Sequence, residues 1–193
     1  MRKLAILTFM TLDGVMQAPA DPDEDRSGGF KHGGWAMPYW QPVMDQVQVE
    51  AMSVPYDLLL GRRTYDIFAP NFSSDSNSPV AEMFNKATKY VVTGNDQGLA
   101  WANTSVVQGN LVEQLRALKN GEGPLLQVHG SWELIQLLIE HDLVDEYRLW
   151  TFPLMAGSGK RLFQNGNPLY ELALSKSKVT TNNVVMNFYE RVR

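Results

Sequence analysis

Apolar residues fall along this chain in short blocks separated by turn-forming clusters, and the spacing changes from block to block. Lys3 to Met10 is nearly continuous in apolar side chains and closes on Asp13-Gly14, which predicts a buried strand and a turn. Val43, Val47, Ala51 and Val54 then recur at helical spacing and predict a helix that stops before Pro55. "YDLLL" reads as a second strand, and Arg63 to Phe68 opens another helix, followed by a polar loop over Asn71–Asn77. Ser78 before Pro79 is an N-cap with proline in the first helical position, and the short helix leads to the strand "KYVVT".

Asn110 to Glu113 has the form of a capping box, with Leu111, Leu115 and Leu118 as the inward stripe of its helix. "GPLLQVH" is a strand ending at Gly130, and Trp132 to His141 is a helix with a wide apolar face. "DEYRLWTFP" returns to strand pattern. "LYELALSKSKV" and "NNVVMNFYERV" form a terminal antiparallel pair. Strands alternating with helices predict a three-layer α/β fold: a mixed, mainly parallel central sheet, helices on both faces, and the antiparallel pair at its end. No repeat or linker divides the chain, so residues 1–193 read as a single domain with a surface loop at about 19–40.

Composition narrows the function. With 17 Lys plus Arg against 21 Asp plus Glu, the formal net charge is −4, which argues against a broad nucleic-acid-binding face. No window approaches the roughly 18 uninterrupted apolar residues of a membrane span. The basic, apolar N-terminus reads as a strand rather than a secretory signal. There is no cysteine, so thiolate catalysis and cysteine-zinc sites are excluded, and a reducing cytoplasm is the expected compartment. His32, His129 and His141 lack metal-site spacing, so no metal is expected.

Three predicted strand ends carry residues suited to an anion: Gly61-Arg62-Arg63-Thr64, Thr93-Gly94-Asn95 and His129-Gly130-Ser131. Glycine lets a ligand approach the backbone, a following helix presents unpaired amides, and arginine offers a planar fork to phosphate oxygens. Each is otherwise a plain strand-to-helix turn. Together they suit an extended phosphorylated ligand such as a dinucleotide, although neither a G-x-G-x-x-G fingerprint nor a phosphate loop occurs. Asp13 either accepts backbone hydrogen bonds in its turn or acts at a site. Asp45 is either a solvated first-turn acid or a proton donor facing an aromatic pocket. Trp35, Tyr39 and Trp40 either stack on a flat heterocycle or pack over the loop. The acids Asp21, Asp23, Glu24 and Asp25 read as loop surface.

"TLDG", "LLLGRRTY" and "VHGSWELIQLLIEHDLVDEYRLWTFPLMAGSGKRLF", in that order, resemble the dihydrofolate reductase superfamily. Within it they look most like stand-alone relatives of the reductase domain of bacterial riboflavin biosynthesis. The resemblance runs from Lys3 to about Glu190. It implies an NADPH-dependent reductase of a small heterocyclic acceptor, similar to 5-amino-6-(5-phosphoribosylamino)uracil reductase. A pteridine reductase, or a nucleotide-binding protein without efficient turnover, is the alternative. It implies that Gly61, Arg62, Arg63 and Thr64 engage the cofactor phosphates, and that Thr93 and Gly94 lie on the adenosine side. Gly130 and Ser131 match the paired glycines under the pyrophosphate, with serine standing for the second glycine. Asp13 and Gly14 match the turn where nicotinamide and substrate meet. Asp45, sixteen residues before Gly61, matches the acid of the substrate-facing helix. Trp35 and Tyr39 are the expected substrate wall. Relatives associate in pairs, which implies a homodimer with Trp150 and Tyr189 as interface candidates, each equally explained as core.

Overall fold

A computed structural model describes residues 1–74 and 78–193. Its elements, in chain order, are β1 (Leu4–Thr11), α1 (Pro42–Ala51), β2 (Tyr56–Gly61), α2 (Arg62–Phe72), α3 (Pro79–Lys86), β3 (Lys89–Val92), β4 (Thr104–Val107), α4 (Leu111–Asn120), β5 (Leu125–His129), α5 (Trp132–Glu140), β6 (Glu146–Phe152), β7 (Leu172–Val179) and β8 (Val185–Arg191). The strands make one sheet in the order β4-β3-β2-β5-β1-β6-β8-β7. The pairs from β4 to β6 are parallel, while β8 runs antiparallel to both β6 and β7. This is the predicted mixed, mainly parallel sheet with its antiparallel end.

Strand alternation sends side chains to two cores. Leu4 and Ile6 of β1, Leu126 and Val128 of β5, and Tyr147 and Leu149 of β6 face α4 and α5. On the opposite face, Leu58 and Leu60 pack under α2 and α3, and Trp150, Phe152 and Met186 pack under α1 and the loop before it. Trp150 is fully enclosed there, with Phe9 stacked on it at 4.9 Å, so it is a core residue rather than an interface one. Tyr189 sits half-buried on the α5 side.

Several local expectations change. Helix α1 ends at Ala51, and Val54 lies beyond it, half in solvent, so the buried face is Met44 and Val47. Helix α2 continues through Pro70 to Phe72, taking in Asn71 and Phe72, which composition had placed in the loop; Asp75–Asn77 lie outside the described residues. Strand β4 was not foreseen. It pairs in parallel with β3 at the sheet edge, and of its four residues only Val107 is buried, so little hydrophobic signal marks it. The Ser78 cap forms, accepting from the Ala81 amide at 3.3 Å, and Asn110 caps α4 by accepting from the Glu113 amide at 3.5 Å.

Candidate functional site

The chain leaves β2 towards β3 on one side and leaves β5 towards β6 on the other, although β2 and β5 are neighbours. Open parallel sheets bind ligands at such a divergence, outside the carboxyl ends of the strands. Gly61 ends β2, and Gly130-Ser131 follows β5, so two of the three candidate corners meet there. The Gly61 amide donates to Ser131 Oγ at 2.9 Å, the Ser131 amide donates to Thr64 Oγ1 at 3.0 Å, and Ser131 Oγ donates to the His129 carbonyl at 3.2 Å.

Those bonds explain why a serine is held in a conformation that favours glycine. Ser131 has φ 58° and Gly130 has φ 54°, both left-handed. A side-chain residue held there costs on the order of 1 kcal/mol, sustained by surrounding contacts. The hydroxyl is committed to Gly61 and His129 and does not cap α5, and Gly61 has no side chain with which to cap α2. The first amides of α2 and α5 thus face the crevice as a positive, hydrogen-bonding surface.

The third corner stands slightly apart. Thr93 Oγ1 donates to the Asn95 carbonyl at 2.9 Å, closing its own turn. Arg62 joins this turn to α2: Nη1 donates to the Asn95 carbonyl at 2.8 Å and Nε to Asp66 at 2.9 Å. At this end Val92 and Arg62 line the cleft, and Thr93 and Gly94 are not among its lining residues.

The cleft has a volume of about 850 Å³ and crosses the strand ends from α5 to the gap between α1 and α2. Gly61, Arg62, Arg63, Thr64, Gly130 and Ser131 all line it, as does Asp45 on α1. Asp45 accepts from Trp40 Nε1 at 2.8 Å, which fixes that indole at the cleft rim. Trp35 and Tyr39 lie elsewhere. Trp35 is buried, donates from Nε1 to the Gln17 carbonyl at 2.8 Å, and meets Phe152 edge-on at 5.2 Å. Tyr39 also presses edge-on to Phe152, at 6.0 Å. Of these three rings, Trp40 lines the cleft.

Asp13 is placed away from the cleft lining. Its carboxylate accepts from Thr11 Oγ1 at 2.5 Å, from the Ala156 and Gly157 amides at 3.0 and 2.9 Å, and from Arg161 at 3.3 Å. The Thr11 hydrogen bond, reinforced by the two amides against the cost of burial, holds it well below the usual carboxylate range. The arrangement clamps the β1 turn, where Gly14 has φ 83°, to the segment after β6.

Asp25 and Lys160, an ion pair lining the cleft, escaped the sequence. Asp25 is buried rather than loop surface, and it bridges Arg63 Nη2 at 2.8 Å and Lys160 Nζ at 2.7 Å. Burial works against its charge, but hydrogen bonds from Lys160 and Ser27 prevail and bring its pKa to about 2. Nothing in the local run of acids distinguishes it, because its charged partners are distant in sequence. Lys160 carried a weak signal, following the glycines of "AGSGK". It lies over the Trp132 ring at 5.6 Å, on the α5 side. Under the cleft, burial and then the Arg148 charge bring the His129 pKa down to about 3, so its imidazole is neutral. Among the described residues no helix is long and apolar enough to cross a membrane, and no three His, Cys, Asp or Glu side chains gather as metal ligands.

Residues 2–186 match the family model described as the RibD C-terminal domain, and the chain belongs to that family. It is 26% identical over 137 residues to the uncharacterized protein YyaP of Bacillus subtilis (strain 168), covering 68% of this chain and 72% of YyaP. The fold superposes on a putative riboflavin biosynthesis protein from Shewanella sp. PV-4 with a TM-score of 0.70 at 23% identity, covering all of both chains. It also superposes on the dihydrofolate reductase of Enterococcus faecalis complexed with NADP(H) and RAB-propyl. There the TM-score is 0.62 at 15% identity, covering 99% of this chain and 97% of the other. The fold is therefore dihydrofolate reductase-like.

Proposed function

We propose that this member of the RibD C-terminal domain family is an NADPH-dependent reductase that passes a hydride to a small heterocyclic acceptor. The observation that carries the reading is the meeting of two uncapped helix starts and two arginines at the point where β2 and β5 diverge, across one cleft from Asp45 and Trp40. Backbone amides and guanidinium forks suit a pyrophosphate, and left-handed Gly130 gives it close approach. The residues present therefore fit a dinucleotide.

When bound, the nicotinamide supplies the hydride; the protein positions the partners and manages the proton. Gly61, Arg62, Arg63, Thr64, Gly130 and Ser131 would hold the phosphates, and Thr93 and Gly94 would serve the adenosine side. Trp40 takes the stacking role expected of Trp35 and Tyr39. Asp45, open to solvent and oriented by the Trp40 indole, hands a proton to the reduced acceptor directly or through water. Asp13 is a positioning residue, because a carboxylate held ionised by this many donors is a poor proton source. The chain works as one domain in the cytoplasm, where NADPH is available and its lack of cysteine is unremarkable. Incubation with NADPH and a panel of flat pyrimidines and pteridines tests this: acceptor-dependent loss of NADPH absorbance supports it. NADPH binding without turnover of any acceptor favours a binding module.

A further inference from the structure

Resting on that reductase reading, we infer that the acceptor carries no phosphate and places an apolar substituent between α1 and α2–α3. The two ends of the cleft differ in chemistry. Its cations, Arg62, Arg63 and Lys160, cluster at the strand-end corners and α5, and each already faces a carboxylate, Asp66 or Asp25. The other end is a trench walled by Asp45 and Gln48 of α1, Phe68 and Phe72 of α2, and Val80 and Phe84 of α3. Its floor includes His129, whose ring meets Phe68 and Phe84 edge-on at 6.4 and 5.3 Å and whose Nε2 is taken by Gln127 at 3.1 Å.

The deficit of positive charge is written into the chain. No lysine or arginine occurs from Gly33 to Gly61, which includes all of α1, or from Thr64 to Asn85, which includes α2 after its first turn and most of α3. The buried imidazole is neutral at physiological pH. A phosphate dianion entering this trench loses its hydration, meets aromatic edges, and stands near the Asp45 carboxylate with no cation lining the trench; Arg148, whose charge reaches His129 from behind the floor, is held by the Ala51 carbonyl and Glu146. An aromatic or aliphatic arm gains contact with Phe68 and Phe72 there, with the fully buried Phe84 behind them. Asp45 and Gln48 then provide the polar recognition of the acceptor ring.

Calorimetric titration of the full chain, with NADPH saturating and again without it, compares 5-benzyluracil with uridine 5′-monophosphate. These probes share a ring and differ in an apolar or a phosphorylated arm. With NADPH present, benzyluracil is expected to bind at least about ten-fold tighter. Phe68→Ala should weaken it several-fold. Gln48→Lys, on a partly exposed helix position, should bring the monophosphate up by about ten-fold. Equal or tighter binding of the monophosphate by the unmodified chain, or no binding of benzyluracil, overturns the inference. Failure of NADPH to bind removes the reductase reading alone, because the two probes are then compared on the chain by itself. In that state a monophosphate seated at the corners is recognised by its indifference to Gln48→Lys.

Discussion

The two ends of the cleft are made of different material. The corner end is built from backbone: glycines, helix-start amides and one strained serine, cross-bonded between β2, α2 and β5. The trench is built from side chains on three helices, with a neutral histidine beneath them. A backbone site recognises what many ligands share, a phosphate. A side-chain site recognises what differs between them. A fold can therefore keep its corner and change its acceptor by altering residues such as Gln48 or Val80, and the two ends should respond separately to mutation.

The largest expected effect separates chemistry from cofactor binding. Asp45→Asn should lower turnover by about 10²-fold while NADPH affinity stays within about two-fold, as steady-state rates and fluorescence titration would report. A matching loss of NADPH affinity would show that the two ends are not independent. Gly130→Val should do the reverse. A β-branched residue at φ 54° is strained by about 1–3 kcal/mol, and its side chain would project towards Thr64. NADPH affinity should fall about thirty-fold or more, while a trench-binding probe such as 5-benzyluracil binds as before.

Asp25 ties the loop before α1 to the corner, so Asp25→Asn should cost about 1–2 kcal/mol in urea unfolding, since Lys160 and Arg63 lose their partner but stay partly solvated. In the unaltered protein its pKa of about 2 lies below the unfolded value of 3.8. Its contribution is therefore complete above about pH 4 and is lost as pH falls towards 2. Asp13, and Asp145 just before β6, where burial is outweighed by hydrogen bonds from Lys119 and Arg193, are also held low and add to the same acid limb. A variant whose acid limb matches that of the parent would remove Asp25 from this role. The smallest effect belongs to Ser131→Gly. Relief of the left-handed strain offsets loss of the hydroxyl bonds to Gly61 and His129, and stability should change by less than about 1 kcal/mol.

This division also decides what could be read from the chain. The corners were legible because left-handed turns and helix starts demand particular residues within a few positions, as in Gly61 to Thr64 and Gly130-Ser131. The sheet was legible for the same local reason, apart from β4, where exposed Ser105 and Val106 give an edge strand no period. The trench was not. Phe72, Val80 and Gln48 come to line one cleft only after three helices settle on the sheet, and each alone reads as ordinary core or surface. Which ring of the loop reaches the cleft was not legible either: Trp35 finds a buried carbonyl at Gln17, and Trp40 is left at the rim. Asp25 looked like its acidic neighbours until Arg63 and Lys160, 38 and 135 residues away, closed on it.

Titration of the purified chain with NADPH, followed by quenching of tryptophan fluorescence and repeated with Arg62→Ala and Gly130→Val, bears most directly on the corner. Saturable binding that weakens about ten-fold or more in each variant is the expected result. Unchanged affinity in both variants, or no binding by the parent chain, would contradict a dinucleotide at the β2–β5 divergence.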